Sequence, residues 1–253
     1  MKSDSDLAAE LARNAGELLL RLRQQHGSSI SGAIGDAESN SYLLQQLALH
    51  RPADLVLSEE AADDPRRLAA DRVWIIDPLD GTREFAEQNP EGAWRSDFAV
   101  HVALWTRKDD LVAGAVALPA RGELYRSDEP SVVPSVATSR PLRVAVSRSR
   151  PPRQLSEVRK QVDVELVPMG SAGVKVVSVV SGETDVYIHS GGQYEWDSAA
   201  PVAIALAAGL HASRLDGSPL VYNRTNPWLP DLLVCHKDSA DRLLAVLANI
   251  EGN

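Results

Sequence analysis

The sequence predicts an α/β fold of layered sheets and helices, and three observations carry that prediction. Helix-spaced apolar stretches interleave with short β-branched runs, above all in the second half, where strand and helix alternate. The runs at 55–57 and 72–76 each stop at acidic residues, Ser58-Glu59-Glu60 and Asp77-Pro78, as strand ends bounded by turn formers do. The chain of 253 residues, 44% of them hydrophobic, is long enough to bury a substantial core as one large domain or two small ones.

The elements follow in order. From Asp4 to about Gln25, residues Leu7, Leu11, Ala15, Leu18, Leu19 and Leu22 recur at helical spacing, with Asp4 or Ser5 as the cap. A second helix is predicted over 37–50, on Tyr42, Leu43, Leu47 and Leu49, and Pro52 and Asp54 break it. Strands at 55–57 and 72–76 come next, then paired strands at 98–106 and 111–118 around a turn at Lys108-Asp109-Asp110. Residues 127–141, rich in Ser and Pro, read as a connection between two parts, 1–140 and 141–253. In the second part, strands at 142–146, 164–167 and 185–188 alternate with helices at 154–162 and 172–181. Asp197 opens the most apolar helix, as an N-cap, and Gly209 stops it.

Composition narrows the partners. A formal net charge of −9 disfavours nucleic acid and anionic membrane, whose phosphates would be repelled. A small phosphorylated substrate stays compatible, because a bound cation reverses the local field. The single cysteine, Cys235, allows no intrachain disulfide and no thiolate metal site, which fits a reducing compartment. The polar start lacks the basic-then-apolar pattern of a secretory signal, and no apolar run approaches bilayer-spanning length. The expectation is a soluble, cytoplasmic protein.

The chemistry concentrates in Asp77-Pro78-Leu79-Asp80-Gly81-Thr82. Pro78 fixes the backbone between the two acids, and Gly81 lets the chain come close to a ligand. An amide of this turn, with Thr82, suits a phosphate oxygen. Carboxylates and a free carbonyl are the donors that a hard cation such as Mg²⁺ prefers. Two carboxylates about 4 Å apart repel by roughly 4 kcal/mol at an effective dielectric near 20, a cost that a divalent cation removes. On Asp77 and Asp80 alone, a strand end with an Asx turn and solvated acids reads equally well. Glu59-Glu60 likewise reads as a solvated loop, and His101, within an apolar strand, as a satisfied core residue. His189 follows a strand and lies near Trp196-Asp197 in sequence, so it could approach the site.

Three motifs in order, Ser58-Glu59-Glu60, Asp77-Pro78-Leu79-Asp80-Gly81-Thr82 and Trp196-Asp197-Ser198-Ala199-Ala200, strongly resemble the signatures of the inositol monophosphatase superfamily. The resemblance spans most of the chain and implies an alternating α-β-α-β-α sandwich of the sugar-phosphatase type, with the metal site in the first part and the second completing it. It also implies roles. Glu59, Asp77, the Leu79 carbonyl, Asp80 and Asp197 would ligate two or three Mg²⁺ ions. Gly81 and Thr82 would contact phosphate, and Asp36, in Gly35-Asp36-Ala37-Glu38, would hold the attacking water with Glu59 and Thr82. Lithium inhibition and a homodimer are implied as well. Such metal-activated water attack needs no nucleophilic side chain. A haloacid-dehalogenase-type phosphatase is excluded, because its nucleophilic Asp would fall at Pro78.

Within the superfamily, Arg83-Glu84-Phe85 is similar to the Lys-Glu-Phe of 3'(2'),5'-bisphosphate nucleotidases, whereas inositol monophosphatases commonly show Thr-Asn-Phe. That branch removes the 3'-phosphate of 3'-phosphoadenosine 5'-phosphate (PAP). Ser171 and Lys175 would then lie near the nucleotide, as would Ser147 and Arg148 of Ser147-Arg148-Ser149-Arg150, with Arg148 or Arg150 meeting the 5'-phosphate, although the arginines read equally well as surface residues that aid solubility and Lys175 as a solvated helix residue. The segment 87–97 is expected at the substrate mouth, with Trp94 stacking on a base or simply packing. Inositol phosphate and fructose 1,6-bisphosphate remain alternative substrates, and a non-catalytic metal or nucleotide sensor the alternative class.

Overall fold

The computed structural model describes residues 2–136, 140–152 and 154–251; part of the 127–141 connection, residues 137–139, lies outside them. Two helices, α1 (Asp4–His26) and α2 (Gly32–His50), precede strands β1 (Leu55–Ser58) and β2 (Arg72–Asp80). The short helix α3 (Thr82–Ala86) follows, then β3 (Ala99–Thr106), β4 (Asp110–Leu118) and β5 (Glu123–Arg126). Beyond the connection come β6 (Leu142–Ser147), α4 (Leu155–Gln161), β7 (Val164–Met169), α5 (Ala172–Val180) and β8 (Val186–Tyr194). The chain continues with α6 (Glu195–Ala207), β9 (His211–Ser213), β10 (Trp228–Cys235) and α7 (Lys237–Glu251).

The strands form two five-stranded sheets, in the orders β1-β2-β3-β4-β5 and β7-β6-β8-β10-β9, so each side of the connection builds one sheet. The layering follows from strand periodicity. On β2, Trp74 and Ile76 join the core of α1 and α2, while Val73 and Ile75 join the core around α5 and α6. The second sheet also turns one face, with Tyr187, Leu232 and Val234, to α5 and α6. Its other face, with Val186, Ile188 and Leu233, packs on α4 and α7. The result is helix, sheet, helix, sheet, helix. Because β2 is covered on both sides, its sequence reads as a continuous apolar run rather than an alternation.

Several boundaries differ from the sequence reading. Helix α1 is capped by Ser3, whose side chain accepts from the Asp6 amide, not by Asp4 or Ser5. Helix α2 starts five residues earlier than expected (Gly32 against Ala37), because the Ser31 side chain caps it at the Ile34 amide, and this draws Asp36 into its first turns. Asp197 is not the N-cap of α6; Tyr194 holds that place, and Asp197 reaches back to the Tyr194 amide at 2.6 Å. Strand β2 does not stop at Asp77. It continues to Asp80 through a bulge, since Asp77 pairs with His101 and Asp80 with Ala99. Residues three apart on a regular strand face opposite sides. The bulge adds the one residue that turns both carboxylates to the same face. Pro78, with no N–H to donate, is tolerated there. Strands β5, β9 and β10 and helices α3 and α7 were not anticipated. Among the described residues no helix is long and apolar enough to cross a membrane.

The layers meet tightly at Gly173, in the first turn of α5. A Cβ there would lie 2.0 Å from Nε2 of His101, which is fully buried. Gly173→Ala is expected to destabilise the fold by about 1–3 kcal/mol despite the better helix propensity of alanine, because the ring has nowhere to withdraw. Urea unfolding of the variant beside the parent measures it.

Candidate active site

Strand pairing brings the acids together. Strands β1 and β2 run parallel, with Ser58 opposite Ile76, so Glu59 leaves β1 where Asp77 begins the bulge of β2. Ligand sites form at such carboxyl ends of strands. Asp197 arrives from the first turn of α6 and Asp36 from α2. A cleft of about 460 Å³ opens over them, lined by Glu59, Asp80, Gly81, Thr82, Asp197 and residues of the second sheet. Asp77 lies beneath it, fully buried.

Asp77 and Asp80 are each tied down by one oxygen. Asp77 Oδ1 accepts from the Leu79 amide at 3.0 Å, whereas its buried Oδ2 has no partner. Asp80 Oδ2 accepts from Ser171 Oγ at 2.5 Å and from the Gly173 amide at 2.7 Å, and lies 3.2 Å from His101 Nε2. Ser171 adopts φ +51, strained for a non-glycine residue, while its Oγ also accepts from the Val174 amide at 3.0 Å and so starts α5. Thr82 Oγ1 stands 3.2 Å from both Asp36 Oδ1 and the Leu79 carbonyl, so its one hydrogen has two acceptors. Gly81 takes φ +92, and a Cβ would meet the Asp97 carbonyl at 3.1 Å, so only glycine fits that turn.

The acids are electrostatically crowded. Glu59 keeps open surface at the cleft, yet desolvation by the walls around its carboxyl, then the charges of Asp197, Asp80, Glu60 and Asp36, push its pKa up to about 8. Burial and Asp80 push Asp197 up to about 6, and burial and Glu60 push Asp36 up to about 6. Burial, then Asp80 and Glu59, hold Asp77 well above the usual carboxylate range. Asp80 is the exception. Burial raises it too, but His101, Lys175 and the Ser171 hydroxyl outweigh burial and hold it below the ordinary value.

The structure brings Glu59, Asp77, Leu79, Asp80, Asp197, Asp36, Thr82 and Gly81 to one place. His101 Nδ1 lies 3.1 Å from the Trp196 carbonyl, with Nε2 toward Asp80. One oxygen each of Asp77 and Asp80 and a nitrogen of His101 lie within 4.8 Å of one another, but the ring is fully buried and braces Asp80 from behind, outside the cleft. Ser147, Ser171 and Lys175 line the cleft, as does His189. Lys175 is buried, donates to the carbonyls of Gly170 and Ser171, and lies 5.5 Å from the centroid of the Tyr187 ring. Burial lowers its pKa.

Arg148 does not reach the cleft. Its guanidinium donates to Glu84 Oε1 at 2.9 Å and to Asp97, which also accepts from the Gly170 amide at 2.6 Å. These bonds join the α3 segment to the β7–α5 turn, and Arg150 stands in the cleft instead. Segment 87–97 also stays out of it. Trp94 packs against Arg23, whose guanidinium carbon is 5.0 Å from that ring and 4.5 Å from the Phe98 ring, so the packing reading of Trp94 holds. The sequence reading missed the aromatic lining from Tyr194 and Trp228. Their pairing across β8 and β10 is tertiary, and no local motif announces it.

Fold and motifs agree with comparison to known proteins. The chain matches the inositol monophosphatase family over residues 3–251 and belongs to that family. It is 50% identical over 266 aligned positions to the 3'-phosphoadenosine 5'-phosphate phosphatase of Mycobacterium leprae (strain TN), covering 98% of this chain and 94% of that protein. It is 31% identical over 242 positions to the 3'(2'),5'-bisphosphate nucleotidase CysQ of Salmonella typhimurium, covering 87% and 94% of the two. The crystal structure of CysQ from Bacteroides thetaiotaomicron superposes with a TM-score of 0.77 at 27% identity, over 94% of this chain and 98% of that one.

The raised carboxyls set a pH dependence. Unfolded carboxyls titrate near pH 4, so between about pH 4 and 8 Glu59, Asp77, Asp197 and Asp36 bind more protons in the folded chain than in the unfolded one, and their contribution to stability falls as pH rises. In EDTA the melting temperature is expected to be lower near pH 8 than near pH 5, and Mg²⁺ is expected to flatten that slope. Thermal unfolding across this window, with and without the ion, measures it.

Proposed function

We propose that the chain is a magnesium-dependent phosphomonoesterase that releases the 3'-phosphate of PAP, giving AMP and phosphate. The observation that carries the reading is the convergence of Glu59, Asp80 and Asp197 on one cleft with Thr82, Ser171 and Lys175. The two relatives above, named for PAP and for 3'(2'),5'-bisphosphate nucleotides, point to the same substrate class.

The donor set fits a hard cation. It offers oxygens only, one of them the partnerless Oδ2 of Asp77 in a fully buried carboxyl. On this reading Glu59, Asp77, the Leu79 carbonyl, Asp80 and Asp197 hold two or three Mg²⁺ ions. Bound Mg²⁺ would supply Lewis acidity at the phosphoryl group and acidify a water. Asp36 and Thr82 orient the attacking water. A carboxyl titrating near 6 can accept its proton close to neutrality. Gly81 lets the backbone approach the phosphate. Ser147, Ser171 and Lys175 face the nucleotide side. Arg150, whose guanidinium has no hydrogen-bond or ion-pair partner among the described residues, suits the second phosphate.

Phosphate release from PAP, inositol 1-phosphate and fructose 1,6-bisphosphate, compared with Mg²⁺ and with EDTA, tests the reading. Mg²⁺-dependent, lithium-sensitive release mainly from PAP is expected. A preference for either sugar phosphate overturns the substrate, and no release from any of them overturns the activity. Glu59→Gln is expected to lower kcat by about 10³-fold, as the loss of several kcal/mol of transition-state stabilisation implies. The same change is expected to raise the melting temperature in EDTA near pH 8, since it removes a charge from the crowd.

A further inference from the structure

One stretch of the cleft wall is aromatic and takes no part in the chemistry above. Tyr194 ends β8 and Trp228 begins β10, directly paired across the sheet. Their rings meet edge to face, with centroids 5.3 Å apart at 80°. One face of Tyr194 is covered by Trp196, stacked at 4.7 Å and 9°. The Trp228 indole lies on the backbone of Gly192, where a Cβ would fall 1.7 Å from Cη2, and Gly192 takes φ +89. The chain leading into the indole is pinned as well. The Glu195 amide donates to the Pro227 carbonyl at 2.9 Å, and the Trp228 amide to Asn226 Oδ1 at 3.1 Å.

The indole is thus held by a glycine bed and a tyrosine edge, yet Trp228 and Tyr194 each keep 39% of their surface exposed. Large aromatic rings fixed in place and left open at the wall of a polar cleft are poor core and good recognition surface. The ligand they suit is planar and aromatic. A base stacked on such a ring is favoured by about 1–3 kcal/mol, and stacking needs no particular hydrogen-bond pattern.

We propose that Trp228, braced by Tyr194 and seated on Gly192, is the stacking platform for the purine base of a nucleotide substrate, and so sets the preference for nucleotides over sugar phosphates. The inference rests on the nucleotide reading of the cleft. It names Trp228 as a specificity determinant, distinct from the groups that handle the phosphate.

The test uses the full chain with Trp228→Leu and Trp228→Phe. Steady-state constants are measured for PAP and inositol 1-phosphate with Mg²⁺, and AMP affinity by calorimetry. Trp228→Leu is expected to lower the ratio of kcat/KM for PAP to that for inositol 1-phosphate by about tenfold, mainly through KM, and to weaken AMP similarly. Trp228→Phe, which keeps a ring, should retain most of both. Should Trp228→Leu fail to fold, Tyr194→Leu, which removes the brace, carries the same expectation. An unchanged ratio with unchanged AMP affinity, or equal losses in the Phe and Leu variants, overturns the platform. If the parent does not hydrolyse PAP, the substrate reading has failed on its own. The AMP titration then decides the platform alone, and indifference of AMP affinity to Trp228→Leu rejects it.

Discussion

The site depends on carboxylates held closer together than their charges favour. Glu59, Asp80 and Asp197 line one cleft with Asp77 directly beneath it, and three of the four have pKa values raised by burial and by one another. Such crowding is costly in a bare protein. It is sustained because the surrounding structure over-determines each position. The β2 bulge turns Asp77 and Asp80 to one face, the parallel β1–β2 pairing places Glu59 beside them, and the Tyr194 amide fixes Asp197. The Leu79 amide and the first turn of α5 hold one oxygen of each aspartate.

The same constraint explains features that otherwise look unrelated. Gly173 is small because His101 must stand behind Asp80, and Ser171 is strained because its hydroxyl both caps α5 and donates to Asp80. Asp80 is the one acid of the four with a lowered pKa, and it is also the one supported by His101, Lys175 and a helix start. An Asp80 carboxylate held below its ordinary pKa, flanked by carboxyls raised above theirs, is a site that a divalent cation would organise, since the charge that disfavours the empty cluster would favour the ion.

Much of this was legible in the sequence because the family signatures are local. Asp77 through Thr82 is a contiguous stretch, and the alternation of strands and helices gave the layers. What was illegible is tertiary or turn-level. The cap at Ser31 moved the start of α2, the bulge at Pro78 carried β2 past its apparent end, and Asp197 exchanged an N-cap place for the third position of α6. Arg148 and Arg150 read as alternative phosphate ligands, because Ser147-Arg148-Ser149-Arg150 resembles a loop of the nucleotidase branch. The partners of Arg148, Glu84 and Asp97, lie far away in sequence and claim it for the join between two segments. Trp228 carried no signal at all, since its meaning comes from Gly192 and Tyr194 across the sheet.

The most direct test of the central claim is anomalous diffraction from crystals soaked in Mn²⁺, a scattering substitute for Mg²⁺ with similar oxygen preference. The expected result is ion density bounded by Glu59, Asp77, the Leu79 carbonyl, Asp80 and Asp197, at oxygen distances of about 2.0–2.3 Å. A cluster that stays empty at saturating Mn²⁺, or an ion seated away from these oxygens, would contradict the claim that their crowding is built for a cation.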